Sequence, residues 1–240
     1  MKSERPVALV TGVGRRAGIG AAIAERLSAD GWLVACTHWP AYDARMPWGA
    51  DPVRAGDFSV EADLADPAAP ALLFDRVASS LGDVTALVLA HCESVDSGFL
   101  DTSLESFDRH FAVNTRANWL LMREFAVRFG GPHGTGRIVA LTSDAVVHNV
   151  PYGASKGALD RLIVAAAAEL GPRGITANAV NPGPTDTGWM DGPLSTTLRD
   201  RTPLGRLGTP RDCANLVSFL CGPDGTWVTG QLLTSNGGFS

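Results

Sequence analysis

The chain repeats one unit: a short, almost uniformly apolar run followed by a segment of helical length. Residues 7–10, 33–36, 86–89, 138–141 and 175–180 form such runs, with a shorter one at 58–60. Near-continuous hydrophobicity over four to six residues suits strands buried on both faces of a parallel sheet. Between them, residues 18–30, 67–81, 103–129, 152–171 and 210–221 carry helical patterning. Strand and helix in alternation mean βαβ units, and so an α/β fold: a doubly wound, Rossmann-type parallel sheet with helices on both faces. No internal repeat, linker or second core interrupts the 240 residues, so one domain is expected.

Two stretches break the rhythm. Residues 39–57 hold three prolines, two tryptophans and two glycines where a crossover helix is expected. Residues 182–210 hold five prolines and five glycines, a loop length often associated with lids. A plain surface excursion is the alternative for both.

Charge and composition narrow the function classes. A net charge of −5 argues against nucleic acid or an anionic membrane as the main partner. The first six residues lack the apolar core of a secretory signal, and no apolar stretch approaches the roughly 20 residues that span a bilayer. Cys36, Cys92, Cys213 and Cys221 have neither metal-ligand spacing nor the pattern of a disulfide framework. A cytoplasmic protein with reduced thiols and no metal is the expectation.

Two motifs carry chemistry. After the first apolar run comes Thr11-Gly-Val-Gly-Arg-Arg-Ala-Gly-Ile-Gly20, and then a helix. Glycines let backbone approach a pyrophosphate closely, and a helix N-terminus offers free N–H groups and a positive dipole end. Far downstream, Tyr152-Gly-Ala-Ser-Lys156 opens a long helical run. Residues at i and i+4 share a helix face, so the lysine ammonium is expected beside the phenol, lowering its pKa toward neutrality.

Together these motifs resemble the short-chain dehydrogenase/reductase family, most closely its 3-oxoacyl carrier-protein reductase branch, over nearly the whole chain. The family's T-G-x-x-x-G-x-G loop maps onto Thr11, Gly12, Gly18 and Gly20, two residues longer here; Gly14 to Gly20 also satisfies the glycine spacing, so the register of the first glycine stays open. The resemblance implies the strand order 3-2-1-4-5-6-7 and a dinucleotide held by Gly12, Gly14, Gly18, Ile19 and Gly20. It adds Asp63 and Leu64 at the adenine, Ala90 beside the cofactor, and Pro182, Gly183, Thr185 and Thr187 at the nicotinamide. It also implies the catalytic set Asn114, Ser143, Tyr152 and Lys156. Ser143 would hold a substrate carbonyl, Tyr152 would donate a proton, Lys156 would tune Tyr152 and bond the ribose, and Asn114 would fix a relay water. A homotetramer or homodimer is implied, built on residues 103–129, the helix from Tyr152, and the segment from Gly230 onward.

Cofactor choice turns on the end of the second strand, where NAD-preferring relatives place an acid. Here stand His38 and Trp39, with Arg15, Arg16 and Arg45 nearby. Guanidinium groups suit a phosphate, so NADP(H) is expected over NAD(H).

Three departures bear on substrate. Ser143 lies only nine residues before Tyr152, which shortens one pocket wall and raises a displaced serine or a wider pocket. The fourth run ends Leu89-Ala-His-Cys92 in place of the family's N-N-A-G, losing a bracing asparagine. Thr185 replaces an apolar residue. His148 in the wall loop and Trp189 in the 182–210 segment are substrate-contact candidates. The expected activity is reduction of a carbonyl, and the altered wall fits a specialised substrate, as in secondary metabolism. Two rivals share the residues: a dinucleotide-binding sensor, and a non-redox cyclase or dehydratase using Tyr152.

Overall fold

Each predicted apolar run pairs with a parallel neighbour. The computed structural model describes residues 5–51 and 55–239. Its strands are β1 (Val7–Thr11), β2 (Leu33–His38), β3 (Phe58–Glu61), β4 (Val84–Leu89), β5 (Gly136–Leu141), β6 (Ile175–Asn181) and β7 (Leu232–Thr234). They form one seven-stranded sheet of order β3-β2-β1-β4-β5-β6-β7. Every ladder is parallel. Order reverses between β1 and β4, and there the carboxyl ends of the strands open a crevice.

Side-chain alternation splits the core between two faces. Val7 and Leu9 of β1 point one way, with Leu73 and Phe74 of α3 (Ala69–Ser80), Leu121 and Phe125 of α5 (Ala117–Arg128), and Leu159 and Ile163 of α6 (Val150–Leu170). Ala8 and Val10 point the other way, with Ile23 and Leu27 of α1 (Ile19–Ala29) and Val217 and Leu220 of α8 (Pro210–Cys221). The period of two in β1 thus serves both helical layers.

Three regions are finer-grained than the sequence suggested. The 103–129 segment is α4 (Leu104–Phe111), a π-turn at Ala112–Arg116, and then α5. In the 39–57 stretch the chain makes only a six-residue helix, α2 (Pro40–Arg45), started by Pro40 in its first turn; residues 52–54 lie outside the described residues. The 182–210 segment carries α7 (Gly192–Arg201), capped by the Asp191 carboxylate on the Leu194 N–H at 2.8 Å. Its far end is pinned where Arg206 grips Asp212 at 2.7 and 2.9 Å in the first turn of α8. That pairing and the Thr209 cap hold the Asp212 carboxyl well below its ordinary range. No helix among the described residues is long and apolar enough to cross a membrane.

Candidate active site

A cavity of about 470 Å³ lies over the carboxyl ends of the strands. Its floor begins with the glycine loop. Gly12 has φ +75°, and a Cβ there would stand 2.5 Å from the backbone of His91. Only glycine fits between β1 and the segment after β4. Gly18, Ile19 and Gly20 bring the amino end of α1 to the cavity wall, where its free N–H groups and dipole favour an anion.

At the other end three predicted groups meet. Ser143 follows β5, while Tyr152 and Lys156 sit one turn apart at the start of α6, and all three line the cavity. Tyr152 is within reach of Ser143, whose hydrogen bond lowers the phenol pKa, but burial dominates and holds the phenol above its ordinary value. The nine-residue spacing therefore does not carry the serine away. The wall loop fits because Gly153 has no side chain: a Cβ there would meet the Ala145 carbonyl at 2.1 Å.

Lys156 differs from expectation in one respect. Its ammonium stands 5.6 Å from the Tyr152 ring centre, yet it donates to the Leu141 carbonyl at 2.8 Å. Lowering of the phenol pKa comes here from Ser143, with Lys156 turned aside. Burial pushes the ammonium below its ordinary value, only partly opposed by the neighbouring Cys92 sulfur and Asp160 carboxyl.

Asn114 sits in the π-turn, fully buried and outside the cavity lining. Its side-chain oxygen accepts from the Glu93 N–H at 2.7 Å, and its amide nitrogen donates to the Glu93 carbonyl at 2.8 Å and to Ser155 Oγ at 2.9 Å. The side chain is thus fully used in tying the segment after β4 to α6. π-Turns of this kind recur at functional sites because the extra residue re-aims a side chain.

The bracing lost with the asparagine is restored by His91. Its Nδ1 lies 2.7 Å from Thr11 Oγ1 at the end of β1, and its Nε2 lies 3.1 Å from the Val113 carbonyl in the π-turn. Burial, helped by the Lys156 charge, pushes this imidazole down to about 3, so it is neutral at ordinary pH. With Nε2–H donating to Val113, Nδ1 is left to accept from the threonine. His91 and Cys92 both line the cavity. The segment after Leu89 is not strand, so these two successive residues can both face the cavity.

The end of β2 supplies the remaining wall. His38, Trp39, Asp63, Leu64 and Ala90 line the cavity as the resemblance implied. Several residues there had no signal in the sequence: Tyr42, Asp43, Trp48, Glu93 and Arg109. Asp43 of α2 presses its carboxylate against the Gly14 backbone, where a Cβ would lie 2.2 Å from it. The Trp48 indole donates to Asp43 at 3.0 Å, and the Arg15 guanidinium lies 4.1 Å from the Trp48 ring centre. The lengthened glycine loop and the irregular stretch after β2 therefore pack on each other. Each oddity of the sequence accommodates the other.

Not every candidate reaches the site. Arg16 is exposed and outside the lining, with its backbone N–H on Asp51 at 3.0 Å and its side chain near the same carboxylate. His148 is exposed, at φ +59° on the tip of the wall loop. It turns away from the cavity, and its neighbour Asn149 lines the wall instead. Arg45 reaches Glu93 from outside the lining. Pro182, Gly183, Thr185 and Thr187 line the opposite wall, with Thr185 Oγ1 donating to the carbonyls of Pro182 and Gly183 at 3.3 Å. Trp189, Met190, Leu198 and Phe239 complete the mouth. Among the described residues, no group of three or more His, Cys, Asp or Glu is arranged to hold a metal.

The chain is similar to known proteins over nearly its whole length. Residues 12–240 match the family model described as enoyl-(acyl carrier protein) reductase. The chain is 36% identical over 245 residues to "Uncharacterized oxidoreductase YjdA" of Bacillus subtilis, covering 99% of this chain and 98% of the relative. It is 34% identical to "Versicolorin reductase 1" of Aspergillus parasiticus, over 97% of this chain and 95% of that one. Among solved structures, a blue fluorescent protein from a metagenomic library in complex with NADPH superposes with a TM-score of 0.85 at 34% identity, covering 98% of each chain. The chain belongs to the short-chain dehydrogenase/reductase family of oxidoreductases.

Proposed function

We propose that this protein is an NADP(H)-dependent reductase of a specialised ketone or aldehyde, as in secondary metabolism. The observation that carries the reading is the meeting of Ser143, Tyr152 and Lys156 in one cavity with the glycine loop and the amino end of α1. The residues fit a dinucleotide: a backbone cradle that a Cβ at Gly12 would fill, N–H groups at α1, and an apolar mouth. Arg15 lines the cavity and supplies positive charge near the end of β2. The NADPH complex of a relative 34% identical supports the same cofactor, and a relative named for reducing versicolorin supports a reductase of a specialised substrate.

A bound nicotinamide would supply or accept the hydride. The chain's own part is positioning and proton transfer. Ser143 Oγ–H would donate to the substrate carbonyl oxygen, and the Tyr152 phenol would give that oxygen its proton as charge develops there. A buried phenol held above its ordinary pKa stays protonated, the form a reduction requires. Lys156 would recharge Tyr152 through solvent once its ammonium leaves Leu141. Asn114 acts through the backbone it holds. Assembly would follow the exposed apolar residues Leu104 and Trp119 on α4 and α5, and Trp227 and Leu232 near the carboxyl end, as in a homotetramer or homodimer.

Titration with NADPH and NADH, read by energy transfer from tryptophan to nicotinamide, tests the first half. Preferential NADPH binding followed by ketone-dependent NADPH oxidation is the expected outcome. Silence with both cofactors refutes the reductase reading, and binding without turnover of any carbonyl leaves a dinucleotide-binding module.

A further inference from the structure

Four charged side chains alternate in sign along the β2 end of the cavity. Asp63, just after β3, takes two bonds from Arg109 of α4 at 3.0 and 3.1 Å. Arg109 Nε then reaches Glu93 at 3.5 Å, and the other Glu93 oxygen receives the Arg45 guanidinium from α2. Trp39 lies between the two arginines, its ring centre 4.5 Å from Arg109 and 5.9 Å from Arg45. Glu93 is the buried member, 2% exposed, whereas the arginine side chains are 25% and 42% exposed. Two carboxylates and two guanidinium groups sum to no net charge.

We infer that Glu93 is a specificity-determining residue that withholds Arg45 and Arg109 from a ribose 2′-phosphate. The inference rests on the dinucleotide reading above. A 2′-phosphate bound at the end of β2 would add nearly two negative charges there, and would be attracted only by positive charge that the cluster leaves uncompensated. Each guanidinium already faces a carboxylate, so the phosphate must share donors with it. NADH, which carries only hydroxyl groups at that position, is indifferent to this balance. The protein therefore discriminates between the two cofactors less than its count of arginines suggests, and the buried acid sets the margin.

Glu93→Gln isolates the charge. The Glu93 backbone remains tied through both its N–H and its carbonyl to Asn114, and glutamine keeps the side-chain shape. In direct titrations with NADPH and NADH, the ratio Kd(NADH)/Kd(NADPH) is expected to rise about tenfold in Glu93→Gln, and the gain should shrink as salt is raised. Arg45→Met, at a half-exposed site, should instead lower the ratio with NADH affinity unchanged. An unchanged or lower ratio in a folded Glu93→Gln protein overturns the inference. Should that variant melt below the titration temperature, Arg45→Met decides, and an unchanged ratio there overturns it equally. Wild-type protein that binds neither cofactor removes the dinucleotide reading itself, an outcome distinct from binding with an unmoved ratio.

Discussion

The two ends of the cavity are built from different materials. At the α6 end, Ser143, Tyr152 and Lys156 stand on the tip of a central strand and the first turns of a 21-residue helix. At the β2 end, the wall is a six-residue helix, a tryptophan beyond it and a chain of ion pairs. Elements buried on both faces fix side-chain positions through packing. Short irregular segments fix them through individual polar contacts, each worth a kcal/mol or so. On the proposed function, chemistry would sit on the rigid end and discrimination between cofactors on the adjustable one.

The largest way to sharpen this contrast is Tyr152→Phe. The ring, its burial and the α6 packing survive, and only the proton donor is lost. Turnover with NADPH and a responsive ketone should fall roughly 10²–10⁴-fold, while NADPH affinity measured by titration stays within a few-fold. A fall in affinity that matched the fall in turnover would show that the α6 end also carries cofactor binding and would erase the division.

Legibility in the sequence follows the same division. The strands were readable because residues such as Val7 to Val10 are buried on both faces and leave an unbroken apolar run. Tyr152 and Lys156 were readable because a helix fixes what four residues of spacing mean. Glu93, Arg109 and Asp43 were not, because their roles arise from contacts between segments 16 to 48 residues apart, which no local pattern encodes. His148 and Arg16 stood in the right stretches of sequence, but loop geometry turned them outward. The π-turn was missed for a related reason: its cause is the buried bonding of Asn114, invisible in the helical periodicity of 103–129.

His91 bridges the end of β1 and the π-turn, and pH probes it. Its folded pKa of about 3 lies below the ordinary value of 6.5, so the unfolded chain binds a proton that the folded one refuses. Stability from this group is complete above about 6.5 and is lost as pH falls toward 3. The loss amounts to a few kcal/mol at most. His91→Asn should be flatter than wild type in urea-midpoint measurements between pH 6.5 and 4, since asparagine does not titrate. His91→Ala should also flatten the curve but lower it at pH 8, leaving Thr11 and Val113 without their bridge. Parallel curves for wild type and His91→Asn would mean that the imidazole is protonated in the fold and that other groups own the acid limb.

The smallest effect, and the one most specific to the β2 end, belongs to Trp48. Its indole N–H holds Asp43, its face carries Arg15, and through them it steadies Gly14 and the two added residues of the glycine loop. Trp48→Leu keeps apolar bulk but removes one hydrogen bond and one cation–π contact. Together these are worth roughly 1–1.5 kcal/mol at a partly exposed site. NADPH and NADH affinity should therefore fall together, about fivefold to tenfold, and kcat at saturating cofactor should not move. A loss confined to NADPH would place Arg15 on the 2′-phosphate itself, and Trp48 would then serve as its platform. No loss with either cofactor would mean that the glycine loop keeps its shape unaided, and the packing of the added residues against the stretch after β2 would be incidental to binding.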